Sequence, residues 1–97
     1  MPTYISLLRY TQQGIADAKG GPARLDAAKE AFRRAGGELK AFYLTMGQYD
    51  AVSIADLPDD TSAARLVLGI SAQGNLRSET LKAFTEAEYK KIIASLS

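Results

Sequence analysis

The sequence predicts an α+β fold in which strands and helices follow one another as βαββαβ, with a further helix at the C-terminal end. Three observations carry this expectation. Four runs rich in β-branched, aromatic and aliphatic residues alternate with two long segments of helical periodicity. Only Gly47-Gln48 separates the second run from the third. Both alternating sets of the first run carry apolar residues.

Thr3 to Thr11 (TYISLLRYT) reads as the first strand, with Ile5 and Leu7 on one side and Tyr4, Leu8 and Tyr10 on the other, as expected when both sheet faces are covered. The stretch QQGIADAKGG is a connector with room for a short helical turn. Pro22 suits the first position of a helix. From Pro22 to Ala35, Leu25, Ala28, Phe32 and Ala35 recur at helical spacing, and Arg24, Lys29, Arg33 and Arg34 can face water. Gly36-Gly37 supplies the left-handed stop.

Glu38 to Met46 and Tyr49 to Leu57 read as strands two and three, antiparallel neighbours in a hairpin. In strand three, Asp50, Val52 and Ile54 alternate with Tyr49, Ala51, Ser53 and Ala55, and the bulky aliphatic pair is expected against the helices. Pro58-Asp59-Asp60 suits a helix N-terminus, after which Ala63, Leu66, Val67 and Ile70 trace a stripe ending at Gly74. Asn75 to Phe84 reads as strand four. Thr85-Glu86-Ala87-Glu88 has the form of a capping box for a last helix that closes the domain and carries Tyr89, Ile92, Ile93 and Leu96 on one side.

This order is the ferredoxin-like split βαβ arrangement, a four-stranded antiparallel sheet with strands one and three central. Its 97 residues are expected to form one domain. One sheet face takes the helices. The other, expected to hold Tyr49, Ala51 and Ser53 with Tyr4, Ser6 and Tyr10, is too apolar to be left in water, and the sheet of a second copy is its most economical cover.

Composition removes several kinds of chemistry. Without cysteine there is no disulfide, thiolate nucleophile or zinc-thiolate site, and without histidine the commonest general base, metal ligand and haem ligand are gone. Twelve basic and eleven acidic side chains give a net charge of +1 with no block of one sign, so nucleic acid is not an expected partner. No apolar run approaches membrane-spanning length and the N-terminus carries no signal-peptide pattern, so no membrane is expected and a cytoplasmic location is. QQGIADAKGG lacks the lysine-hydroxyl pair of a phosphate loop. Asp56, Asp59 and Asp60 lack the alternating spacing of a calcium loop and read as helix-capping residues. Neither metal nor cofactor is expected.

The hairpin residues Thr45-Met46-Gly47-Gln48-Tyr49-Asp50, with TYISLLRYTQQGI, PARLDAAKEAF, GGELKAFYLTMGQYDAV, Gly74-Asn75 and TLKAFTEAEYKKII, resemble the GYD-domain family nearly from end to end. Gln48 separates the signature glycine from the tyrosine and aspartate, so the three letters match in order without being contiguous. The resemblance implies a dimeric α/β barrel. It is similar in its glycine-aromatic-aspartate hairpin to the effector-binding domain of leucine-responsive regulators, and more distantly to cofactor-free monooxygenases and isomerases.

Gly47, Tyr49 and Asp50 form the first candidate cluster, a phenol and a carboxylate on a sharp turn beside a cleft. The structural alternative gives Gly47 a positive φ, packs Tyr49 in an interface and uses Asp50 to accept backbone N–H bonds. Tyr10 and Tyr43, with Tyr4 and Tyr49, either wall a ligand pocket or fill an oligomer interface. Arg9, Arg77 and Glu79 come together if strands one and four are adjacent, as an anion clamp, an interface ion pair or solvated edge charges. Two readings follow. One is a homodimer, or a larger oligomer of dimers, that binds a small organic ligand or a partner near Arg9, Tyr10, Tyr43, Gly47, Tyr49 and Asp50. The other is a cofactor-free enzyme using Tyr49 and Asp50 as proton donor and acceptor.

Overall fold

The computed structural model of the chain describes residues 1–96. Its elements are β1 (Thr3–Tyr10), α1 (Gln12–Ala16), a 3₁₀ turn (Ala18–Gly20), α2 (Gly21–Arg34), β2 (Glu38–Leu44), β3 (Ala51–Asp56), α3 (Asp60–Ala72), β4 (Leu76–Ala83) and α4 (Glu86–Ala94). The fold is α+β and ferredoxin-like. The sheet is antiparallel in the order β2-β3-β1-β4, which places β1 and β3 at its centre as the right-handed crossovers require. Among the described residues no helix is long and apolar enough to cross a membrane.

The helix ends form where their chemistry predicts. Pro22 lies in the first turn of α2, and Gly36 just beyond that helix takes φ +85°. The Asp59 side chain accepts from the Ser62 N–H at the start of α3. Thr85 and Glu88 exchange both bonds of the capping box at α4. The connector after β1 holds more structure than a single turn. Thr11 caps α1, and its hydroxyl donates to the Gly74 carbonyl at 2.5 Å while its N–H donates to the Asn75 carbonyl at 3.1 Å. Gly14 packs so closely on this joint that a Cβ would lie 2.0 Å from the Asn75 oxygen.

The two faces of the sheet are the reverse of the sequence-based expectation. Ala51, Ser53 and Ala55 are the buried positions of β3 and look toward α2 and α3, as do Tyr4, Ser6 and Leu8 of β1. Val52 and Ile54 lie on the opposite face, in register with Leu7 and Ile5. The reason lies in the helices. Leu25, Phe32, Leu66 and Val67 bring the bulk to the layer between helices and sheet, and small residues on the central strand leave space for them. Tyr4 and Tyr10 therefore sit on the helix side and Tyr43 on the open side, so the strand tyrosines do not share one face.

The open face is apolar all the same, built from other residues than expected. It holds Ile5, Leu7, Val52 and Ile54, flanked by Tyr43 on β2 and Leu81 on β4. The last helix also departs from expectation, because it does not close the domain. Only Phe84 and Thr85 separate β4 from α4, and Tyr89, Ile92, Ile93 and Leu96 on that helix are exposed. The molecule is accordingly elongated, 52 × 31 × 18 Å.

Candidate functional site

The sequence Thr45-Met46-Gly47-Gln48-Tyr49-Asp50 forms a wider loop than a two-residue hairpin, because β2 ends at Leu44 and β3 begins at Ala51. Its base is closed by backbone. The Thr45 N–H donates to the Asp50 carbonyl at 2.9 Å, and the Thr45 hydroxyl donates to the Tyr49 carbonyl at 2.7 Å. Gly47 takes φ +132°, a region that side-chain-bearing residues rarely adopt.

Asp50 fastens the loop to β1. One carboxylate oxygen accepts the Tyr10 N–H at 2.9 Å, and the Asp50 N–H donates to the Leu8 carbonyl at 2.8 Å. The loop is thereby folded over the end of β1. Its tyrosine lands on Arg9, whose guanidinium carbon lies 4.6 Å from the Tyr49 ring centroid. Arg9 Nε also donates to the Gln48 carbonyl at 3.0 Å, and the Tyr49 hydroxyl reaches across to a Glu79 carboxylate oxygen on β4 at 3.2 Å. Arg77 stands opposite Arg9 in the β1–β4 register. Leu7, Arg9, Tyr49, Arg77 and Glu79 together line a shallow depression at one end of the open face.

Of the candidate residues, the structure brings Arg9, Gly47, Tyr49 and Asp50 together, with Arg77 and Glu79 beside them. Tyr10 joins through its backbone N–H alone, since its side chain belongs to the helix side of the sheet. Tyr43 lies on β2, the far edge strand, and is exposed. The Tyr49 hydroxyl and the Asp50 carboxylate are engaged with different partners, Glu79 and the Tyr10 N–H. That arrangement orders a surface. The anchoring roles of Thr45 and the Gln48 carbonyl were not legible, because backbone partners leave no compositional trace.

The acidic residues near α3 are occupied structurally. Asp56 accepts from the Thr3 hydroxyl at 2.9 Å and faces Lys40 at 3.6 Å. The Asp59 carboxyl is held below its usual range, chiefly by the Ser62 N–H. The Asp60 carboxyl is held low by the Tyr4 phenol and then by Lys82, whose Nζ is 3.3 Å away. Burial, and then the bond to Asp60, pushes the Tyr4 phenol up to about 12. Among the described residues no group of three or more acidic side chains is placed to hold a metal ion.

Comparison with known proteins returns the same pattern. The sequence profile described as GYD domain matches residues 4–93. The "Glutamine synthetase and cystathionine beta-lyase binding protein" of Thermus thermophilus is 30% identical over 89 residues, which span 91% of this chain and 94% of that protein. Among solved structures, TTHA0845 from Thermus thermophilus superposes with a TM-score of 0.55 at 28% identity, over 88% of this chain and 95% of that one.

Proposed function

Because the chain belongs to the GYD domain family, we propose that it is an assembly module, a homo-oligomer that docks on other proteins through the surface built around Arg9 and Tyr49. The open sheet face carries this reading. Ile5, Leu7, Val52 and Ile54 form a continuous apolar patch across the two central strands, which a polar solvent disfavours and a second sheet covers well. Pairing of two such faces makes the dimeric barrel, and the depression lined by Arg9, Tyr49, Arg77 and Glu79 then lies at its seam.

Arginine and tyrosine are the residues that most often anchor protein interfaces, and here a stack and three hydrogen bonds hold the pair in place before any partner arrives. The name of the Thermus thermophilus relative, a glutamine synthetase and cystathionine beta-lyase binding protein, supports enzymes as the class of partner. A small organic ligand held at the same seam is the alternative occupant, and a phenol-over-guanidinium surface suits a planar or anionic group.

Sedimentation velocity, followed by capture assays with purified glutamine synthetase and cystathionine β-lyase from the source organism, tests this. A dimer or a multiple of dimers at micromolar concentration, with capture of either enzyme weakened by Tyr49→Ala, is expected. A stable monomer would remove the premise of self-pairing, and capture indifferent to Tyr49 would remove the docking surface.

A further inference from the structure

The helix side of the sheet contains a space that the assembly reading does not use. Across the middle of the sheet run Phe42, Ser53, Ser6 and Thr80, one residue from each strand in register, with Ala51 and Ala55 on either side of Ser53 along β3. Three small side chains in succession on a central strand leave a hollow beneath α2 and α3. Leu25, Phe32, Leu66 and Val67 roof it, and its volume is about 170 Å³.

The floor of this hollow is unusual for an apolar layer because it is a row of hydroxyls. The Ser6 and Thr80 hydroxyls are 2.9 Å apart, and Thr80 and Ser78 are 2.7 Å apart, so these three satisfy one another. Ser53 stands outside that chain, directly opposite Ser6, and is 8% exposed. No enclosed side-chain oxygen among the described residues lacks a partner, so the Ser53 hydroxyl, which joins neither bond of that row, opens into the hollow and is a recognition point for a ligand that brings its own polar atom.

Charge restricts the ligand further. Among the described residues that line the hollow, Arg24 is the only charged one, and its guanidinium is held by the Asp17 carboxylate at 2.8 Å and the Asp17 carbonyl at 3.0 Å. The Tyr4 phenol is likewise engaged, by Asp60. That lining offers no free charge to repay the desolvation of an ion.

We propose that the space between the sheet and helices α2 and α3 is a binding site for a compact, neutral, single-ring molecule bearing one hydroxyl, of the phenol class, with that hydroxyl paired to Ser53. The size agrees, since an apolar protein cavity of about 150 Å³ admits benzene. The preference for a hydroxylated ring follows from the floor: a plain hydrocarbon fills the volume but strands the Ser53 hydroxyl, whereas a phenol pairs with it. The site lies on the opposite face of the sheet from the proposed docking surface, so either stands if the other fails.

Calorimetric titration of the full chain with phenol and with toluene provides the test. Phenol is expected to bind several-fold more tightly than toluene, Ser53→Ala to erase that preference, and Ala55→Leu to abolish binding of both by filling the hollow. Nuclear Overhauser contacts between phenol ring protons and the methyls of Ala55 and Leu66 in the unsubstituted protein locate the ligand even if Ala55→Leu does not fold. Absence of such contacts, equal affinity for the two rings, or a phenol preference that survives Ser53→Ala would overturn the proposal.

Discussion

The Tyr4 phenol donates to the Asp60 carboxylate, joining the central strand β1 to the first turn of α3. Burial is the larger cause of the raised Tyr4 value of about 12, against an ordinary 10.0. A phenol raised on folding adds stability that is complete below pH 10 and lost as pH climbs towards 12. Tyr4→Phe is expected to lose about 1 kcal/mol at neutral pH through the missing hydrogen bond. It should also decline less between those two pH values, as measured by urea unfolding at each pH.

The acid limb has the opposite sign. Asp59, Asp60 and Glu88 are all held below the usual carboxylate range, by the Ser62 N–H, the Tyr4 phenol and the Thr85 N–H respectively. Groups lowered on folding stabilise above the unfolded value of about 4 and lose that effect as pH falls through the folded one. Calorimetry should find a melting temperature that is level from about pH 7 to 5 and drops below about pH 4. Asp60→Asn should melt lower than the parent at neutral pH and show a shallower acid drop.

Gly14→Ala tests the joint between α1 and the turn before β4. The added methyl meets a backbone oxygen that is itself bonded to Thr11, so relief requires moving the turn. A loss of roughly 1–3 kcal/mol in denaturant unfolding is expected, typical of overpacking. A neutral result would mean that the turn shifts freely.

Arg9→Ala removes both the stack on Tyr49 and the bond to the Gln48 carbonyl. The pair is exposed, so the expected loss of stability is only about 0.5–1 kcal/mol. Capture of a partner enzyme should weaken far more than stability does, since the loop would no longer be held in one shape. Parallel decline of both quantities would point to a purely structural pair.

Much of the fold was legible because local chemistry declares itself. The proline in the first turn of α2, the Asp59 cap and the Thr85-Glu88 capping box mark helix ends whatever the rest of the chain does. Which face of β3 meets the helices was not legible. Period-2 alternation separates Val52 and Ile54 from Ala51, Ser53 and Ala55, but bulk points to the core only when the opposing layer is thin. Here Phe32 and Leu66 already supply the bulk. The site was half legible. Gly47, Tyr49 and Asp50 are neighbours in the chain, whereas the fold of the loop over β1 that sets Tyr49 on Arg9 left no sequence signal, and Tyr10 turns its ring away because β1 parity puts it with Tyr4.

The projecting α4 has nine residues, fewer than the roughly 12–15 at which a helix holds by itself in water. Its capping box secures one end only. The helix therefore serves as an optical gauge of the proposed pairing: where copies associate, far-ultraviolet ellipticity should fall on dilution and recover as Tyr89, Ile92 and Ile93 find something to lie against. The tail would then be the first place a protease cuts in dilute protein and among the last in crowded protein.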